Sequence, residues 1–110
     1  MKALLDTHVF LWYISDDKRL KAIHREIIED VKHEIFLSVA SVWEAAVKQM
    51  LMKIQFPEFA GEYLPKERVR HRIKSLSIDE SCLKHLGELP NIHHDPFDRI
   101  LICQALENIL

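Results

Sequence analysis

The sequence predicts an α/β fold in which a parallel sheet is covered by helices on both faces. Short apolar runs that suit buried strands alternate with longer stretches whose apolar residues recur every three or four positions. Only two glycines, Gly61 and Gly87, occur in 110 residues, so turns that need positive φ are few and helix content is high. Apolar residues make up 48% and charged residues 29%, the balance of an ordinary globular chain rather than a disordered or fibrous one. One core suffices at this length, and a single domain over 1–110 is expected.

The run Lys2 to Leu5, stopped by Asp6, Thr7 and His8, reads as a buried strand and a turn. Leu20, Ile23, Ile27, Ile28 and Val31 then mark one face of an amphipathic helix. Ile35-Phe36-Leu37 is a second strand leading into Ser38. From Val39 to Ile54 the positions Val42, Trp43, Ala46, Val47, Met50 and Leu51 repeat the helical period, and Pro57 closes the region. A third helical stretch runs from Phe59 to Ile73, with Pro65 expected to divide or restart it. Leu76 and Ile78 alternate with Ser75, Ser77 and Asp79 as a short half-buried strand. A helix from Glu80 to Leu86 ends near Gly87 and Pro90, and a last, strongly apolar helix covers Pro96 to Leu106. Ile109-Leu110 reads as the start of another strand.

Several function classes are excluded by composition. The scarcity of glycine rules out Gly-rich phosphate cradles. Cys82 and Cys103 have neither zinc-site spacing nor the density of a disulfide scaffold, and read as reduced core thiols. No apolar run approaches the roughly 18 residues of a membrane span, and MKALLDTH lacks the apolar stretch of a signal peptide, so a cytoplasmic protein without membrane contact is expected. A net charge of −2 gives no bulk attraction for nucleic acid; bound cations or a local basic patch must supply it.

Ligands of open parallel sheets bind at the carboxyl ends of the strands. Asp6 ends the first strand, and Glu44 is expected in the first turn of the helix after the second. Asp95 and Asp98 open the last helix. Unmatched carboxylates about 4 Å apart repel by about 4 kcal/mol per pair at an effective dielectric near 20, so such a cluster calls for cations. All-oxygen donors favour Mg²⁺ or Mn²⁺ over zinc, and paired ions of this kind support hydrolysis of a phosphodiester. A plainer reading stands beside this one. Ser41-Val42-Trp43-Glu44 fits an S-x-x-E capping box, Asp95-Pro96 fits an N-cap followed by proline at the first helical position, and Asp6 fits a turn.

Three blocks, LLDTHVFLW at Leu4 to Trp12, LSVASVWEAAVKQMLMKI at Leu37 to Ile54 and HHDPFDRILICQAL at His93 to Leu106, resemble in order and interval the motifs of PIN-domain proteins, specifically the VapC toxins of toxin–antitoxin pairs. The resemblance implies a three-layer α/β/α sandwich with strand order 3-2-1-4-5, Leu4 lying centrally. It implies RNA cleavage with Mg²⁺ or Mn²⁺, a cognate antitoxin that covers the acidic groove, and a homodimer. By motif, Asp6, Glu44 and Asp98 correspond to the catalytic, metal-holding acids; Asp95 accompanies them as a ligand, supporting acid or N-cap, and Thr7 supplies a hydroxyl. Ser41 and Arg99 are further supporting candidates. The resemblance also implies a continuation beyond Leu110 that carries a fourth acid, a helix and further strands, so the sheet is expected to lack its C-terminal strands.

Lys66, Arg68, Arg70, His71, Arg72 and Lys74 form a basic cluster. Arg68, Arg70, Arg72 and Lys74 are the candidates for RNA contact, although such clusters also occur as plain solvated helix faces. His93-His94 beside Asp95 suggests a metal or acid–base pair, but consecutive residues at a helix entry point in different directions. Arg99 reads as a partner for an acid or for phosphate. Trp12, Trp43, Phe10 and Phe97 are expected to pack rather than to stack on bases. Two further functions compete with the nuclease: a catalytically inactive PIN-like module that binds protein or RNA, and an α/β domain whose acids only cap helices.

Overall fold

The computed structural model describes residues 1–90 and 95–110. Its described strands are β1 (Lys2–Leu4), β2 (Glu34–Ser38) and β3 (Lys74–Leu76). All are parallel, in the order β1-β2-β3, with Ala3 opposite Ile35 and Leu37 opposite Ser75. Two helices, α1 (Thr7–Ile14) and α2 (Ala22–Glu29), connect β1 to β2; α3 (Val39–Met50) and α4 (Ala60–Arg70) connect β2 to β3. A 3₁₀ segment (Glu80–Glu88) and α5 (Pro96–Asn108) follow.

Side chains alternate along a strand, which puts Ala3, Leu5, Ile35 and Leu37 on one face. Phe10 and Tyr13 of α1, Ile28 of α2, Ala45 of α3 and Ala60 and Leu64 of α4 join Leu5, Ile35 and Leu37 in a single buried cluster. Truncating a core leucine such as Leu37 to alanine is expected to cost about 2–5 kcal/mol. The opposite face carries Leu4, Phe36 and Ser38. Here the Ser38 hydroxyl donates to Gln104 Oε1 of α5 at 2.5 Å, and Gln104 Nε2 donates to the carbonyl of Ser77 at 3.1 Å. The 3₁₀ segment packs along α5. Helices therefore flank the sheet on both faces, the expected three-layer α/β arrangement.

Several expectations are corrected. Thr7–Ile14 is a helix, not a turn; its unbroken apolar run hides the helical period because the helix is largely covered. Asp6 caps it by accepting from the His8 amide at 2.8 Å. The second helix stops at Glu29, leaving Val31 88% exposed. Helix α3 ends at Met50, where Leu51 caps it and Met52 turns to φ 60°, rather than continuing to Ile54. Pro65 does not divide α4. It lies in the second turn, where only the bond to the Gly61 carbonyl is forgone, and buried Ala60 and Leu64 hold that turn to the core. The segment Glu80–Glu88 is 3₁₀ rather than α. Ile109 is the left-handed cap of α5 at φ 55°, not the start of a strand. By contrast, the described order β1-β2-β3 agrees with the 3-2-1 part of the expected 3-2-1-4-5 order, with β1, which carries Leu4, on the side where the expected further strands would pair. Trp43, expected to pack, is 58% exposed, with only its ring edge-to-face on Phe97 at 4.8 Å. Among the described residues no helix is long and apolar enough to cross a membrane.

Candidate functional site

The carboxyl ends of β1 and β2 deliver two of the acids. Leaving β1, the chain turns at Asp6, which starts α1. Leaving β2, it passes Ser38, whose hydroxyl accepts from the Ala40 amide and starts α3. Glu44 is the sixth residue of that helix, in its second turn rather than its first. This removes the capping-box reading of Ser41 and Glu44, since Ser38 is the cap. The cap readings of Asp6 and Asp95 hold, because Asp95 accepts from the Phe97 amide at 2.9 Å with Pro96 at the first helical position. Each of these caps uses the Oδ1 oxygen, so capping and ligand roles are compatible.

Thr7 and Ser41 tie the two helix starts together. The buried Thr7 hydroxyl donates to Ser41 Oγ at 2.8 Å, which fixes the spacing between Asp6 and Glu44. Glu44 is 2% exposed. Its Oε2 accepts from Lys48 Nζ at 2.8 Å, and its Oε1 has no hydrogen-bond partner among the described residues. A buried carboxylate oxygen without a donor costs several kcal/mol unless something cationic reaches it.

Asp98 brings the last helix into the same neighbourhood. Its carboxyl is pushed above the ordinary carboxylate value, first by burial and then by the negative charges of Asp95, Asp6 and Glu44; His8 pulls the other way. Asp98 thus sits close enough to feel the other three acids. The His8 imidazole Nδ1 lies 3.6 Å from Asp6 Oδ1. Among the described residues no three acidic, histidine or cysteine side chains stand close enough together to hold an ion as placed. The donor set nevertheless fits a hard divalent cation: it is all oxygen, its negative charge is opposed locally by Lys48 and His8, and it contains the orphaned Glu44 Oε1.

The remaining candidates lie elsewhere. Arg99 donates to the carbonyls of Pro90 at 3.0 Å and Leu86 at 3.1 Å, which fastens α5 to the end of the 3₁₀ segment. The basic cluster collects where α4 ends and β3 begins, at the amino-end edge of the sheet, away from the acids. There Lys66 pairs with Glu58, Arg68 donates to the Ile73 carbonyl, Arg70 and His71 approach Glu67, and Lys74 pairs with Glu34. Arg72 adopts a φ of 60° between them. His93 and His94 fall outside the described residues. Cys82 and Cys103 are free and buried, as expected of core thiols.

Three contributors escaped the sequence reading. Lys48 has a readable signal, the i, i+4 spacing from Glu44. His8 has a weaker one, as the second residue of the helix that Asp6 caps. Gln104 is a fully buried amide in an apolar helix; its polarity was visible, but its partners Ser38 and Ser77 were not.

The sequence profile of the PIN domain matches residues 3–109. Ribonuclease VapC16 of Mycobacterium tuberculosis (strain ATCC 25618 / H37Rv) is 38% identical over 61 residues, covering 56% of this chain and 43% of that protein. The matched stretch therefore spans less than half the length of that relative. No solved structure matches the chain. With acids gathered at the carboxyl-end edge of a parallel sheet and a domain match over nearly every residue, the chain belongs to the PIN-domain family.

Proposed function

We propose that this chain is a VapC-type, Mg²⁺- or Mn²⁺-dependent endoribonuclease, with Asp6, Glu44 and Asp98 as its catalytic acids and Asp95 completing the donor set. The observation that carries the proposal is the buried Glu44 Oε1, without a hydrogen-bond partner among the described residues, near an Asp98 carboxyl whose proton affinity is raised first by burial and then by Asp95, Asp6 and Glu44. The similarity to a ribonuclease supports the same reading.

The reaction is hydrolysis of an RNA phosphodiester: water oxygen adds to phosphorus, a P–O ester bond breaks, and the departing oxygen takes up a proton. A bound divalent cation supplies Lewis acidity and a water of lowered pKa at such a site. The chain's own residues hold and orient. Asp6, Glu44, Asp98 and Asp95 present hard oxygens, the Thr7–Ser41 pair sets the distance between α1 and α3, and Lys48 fixes the Glu44 rotamer. Any RNA contact by Arg68, Arg70, Arg72 and Lys74 falls on parts of the strand remote from the cleaved bond. In this reading the protein acts in the cytoplasm as the toxin of a toxin–antitoxin pair, as a homodimer, with a cognate antitoxin closing the acidic edge.

The open spacing of the acids favours a second reading, a catalytically inactive PIN-like module. Cleavage of RNA by the wild type and by Glu44→Gln, in Mg²⁺, Mn²⁺ and chelator, separates the two. The nuclease reading requires turnover that depends on metal and on Glu44; absence of turnover in every metal condition assigns the inactive module.

A further inference from the structure

A groove of about 420 Å³ runs along α1 from His8 to Arg19, beside the segment between α3 and α4, lined by His8, Trp12, Arg19, Gln55, Phe56 and Tyr63 among others. We infer that this groove seats an unpaired nucleobase of the RNA strand, next to the phosphate that is cleaved; the inference rests on the nuclease reading and deepens it.

Continuity comes first. His8 touches the acid site through Asp6 at 3.6 Å and touches the groove through Trp12, their ring centroids 6.2 Å apart. The lining chemistry comes second. Phe56 and Tyr63 lie ring to ring at 5.8 Å, and the Arg19 guanidinium lies 5.2 Å from the centre of the Trp12 ring. Aromatic rings and guanidinium planes are the surfaces on which unstacked RNA bases rest.

Charge decides between a base and a phosphate as the occupant. Arg19 is held by Asp17 through Nε at 3.1 Å and Nη2 at 2.7 Å. That fork orients the guanidinium and offsets part of its charge with Asp17, so it presents a flat face beside the indole. Gln55 is exposed on the rim and its amide makes no hydrogen bond among the described residues, so it offers a donor and an acceptor to the edge of a base. The volume lies within the ~300–1,000 Å³ of pockets that enclose small ligands. An amphipathic peptide would also find apolar surface here, but it would not account for the fixed guanidinium plane beside the indole.

The chain has two tryptophans, so Trp43→Phe leaves Trp12 as the single indole reporter. In that protein, short single strands of poly-adenosine or poly-uridine are expected to quench Trp12 emission, and a ribose-phosphate strand without bases is expected not to. Equal quenching by the abasic strand overturns the inference. So does a response to an amphipathic helical peptide with none to RNA, which assigns the groove to a protein partner. With a mapped cleavage site, an abasic nucleotide on the correct side lowers kcat/KM of the wild type by about tenfold, within the range of one base–aromatic stack. Trp12→Ala shows the same loss and no further loss on the abasic substrate, while Trp12→Phe restores most of it. Additive losses overturn the proposal. Because Trp12 also packs on the core, Gln55→Ala provides a surface variant, expected to change which base is preferred; an unchanged preference there, together with additive losses, removes the groove from recognition. Base-dependent quenching without cleavage by the wild type keeps the groove and discards the nuclease.

Discussion

The two edges of one small sheet treat charge in opposite ways. At the amino-end edge carboxylates have cations beside them: Glu34 lies 3.9 Å from Lys2 and 3.4 Å from Lys74, and Glu67 lies 3.5 Å from Arg70. At the carboxyl-end edge Glu44 pairs with Lys48 at 2.8 Å, while Asp98 feels the negative charges of Asp95, Asp6 and Glu44. Sequence proximity does not explain the difference, since Asp6 follows β1 closely and Glu34 is the first residue of β2. Balanced charge at a sheet edge serves solubility and contributes little to stability, whereas an accumulation of like charge around a buried carboxylate is costly on its own and is a common mark of functional sites.

The comparison breaks most visibly at Glu44. Glu44→Gln is expected to lower RNA cleavage by at least about 100-fold, since the loss of a ligand exceeds the usual 10–100-fold cost of disturbing the residues around one; activity within a few-fold of wild type would make the two edges equivalent. Next in size is the response to metal. Mn²⁺ at about 100 times its dissociation constant should stabilise the fold by about 2.7 kcal/mol, read as a rising melting temperature that Glu44→Gln abolishes. Asp6→Asn in chelator should then raise the melting temperature by a few degrees, because it keeps an N-cap residue and removes one member of the repelling set. The same kind of change at the other edge, Glu34→Gln, should lower stability by less than about 1 kcal/mol; a larger effect there would show that the amino-end pairs carry structure.

The smallest expected effect concerns His85, between Glu107 at 2.8 Å and Glu88 at 3.3 Å. Hydrogen bonds to those two carboxylates raise its pKa above 6.5. The folded pKa exceeds the unfolded one, so the stabilisation is complete below about pH 6.5 and fades as pH rises through the raised value. The melting-temperature difference between wild type and His85→Ala should therefore shrink from pH 6 to pH 9, and a constant difference would deny the imidazolium a part.

How much of this was legible follows from which interactions are local. Helix starts at Asp95-Pro96 and the apolar period of α3 are written within a few residues, and both are found. Helix α1 was missed because a covered helix loses the polar face that reveals its period. Pro65 was overread, since its position in the second turn leaves one bond to lose. The acids were identified by motif, but their convergence depends on contacts such as Thr7 with Ser41, 34 residues apart, which no local window contains. The basic cluster looked like a unit along the chain and proved to be divided among separate partners, because neighbours in sequence at the end of a helix point toward different elements.

Gln104 has a mechanical consequence. It pins α5 to both Ser38 and Ser77, six residues after Asp98 and so about 9 Å along the helix axis at ~1.5 Å per residue. The helix is thus a lever with a fixed fulcrum. A tilt of some ten degrees there would swing the distant carboxylate by more than an ångström, so the aim of Asp98 depends on a remote amide as well as on the Arg99 anchor beside it.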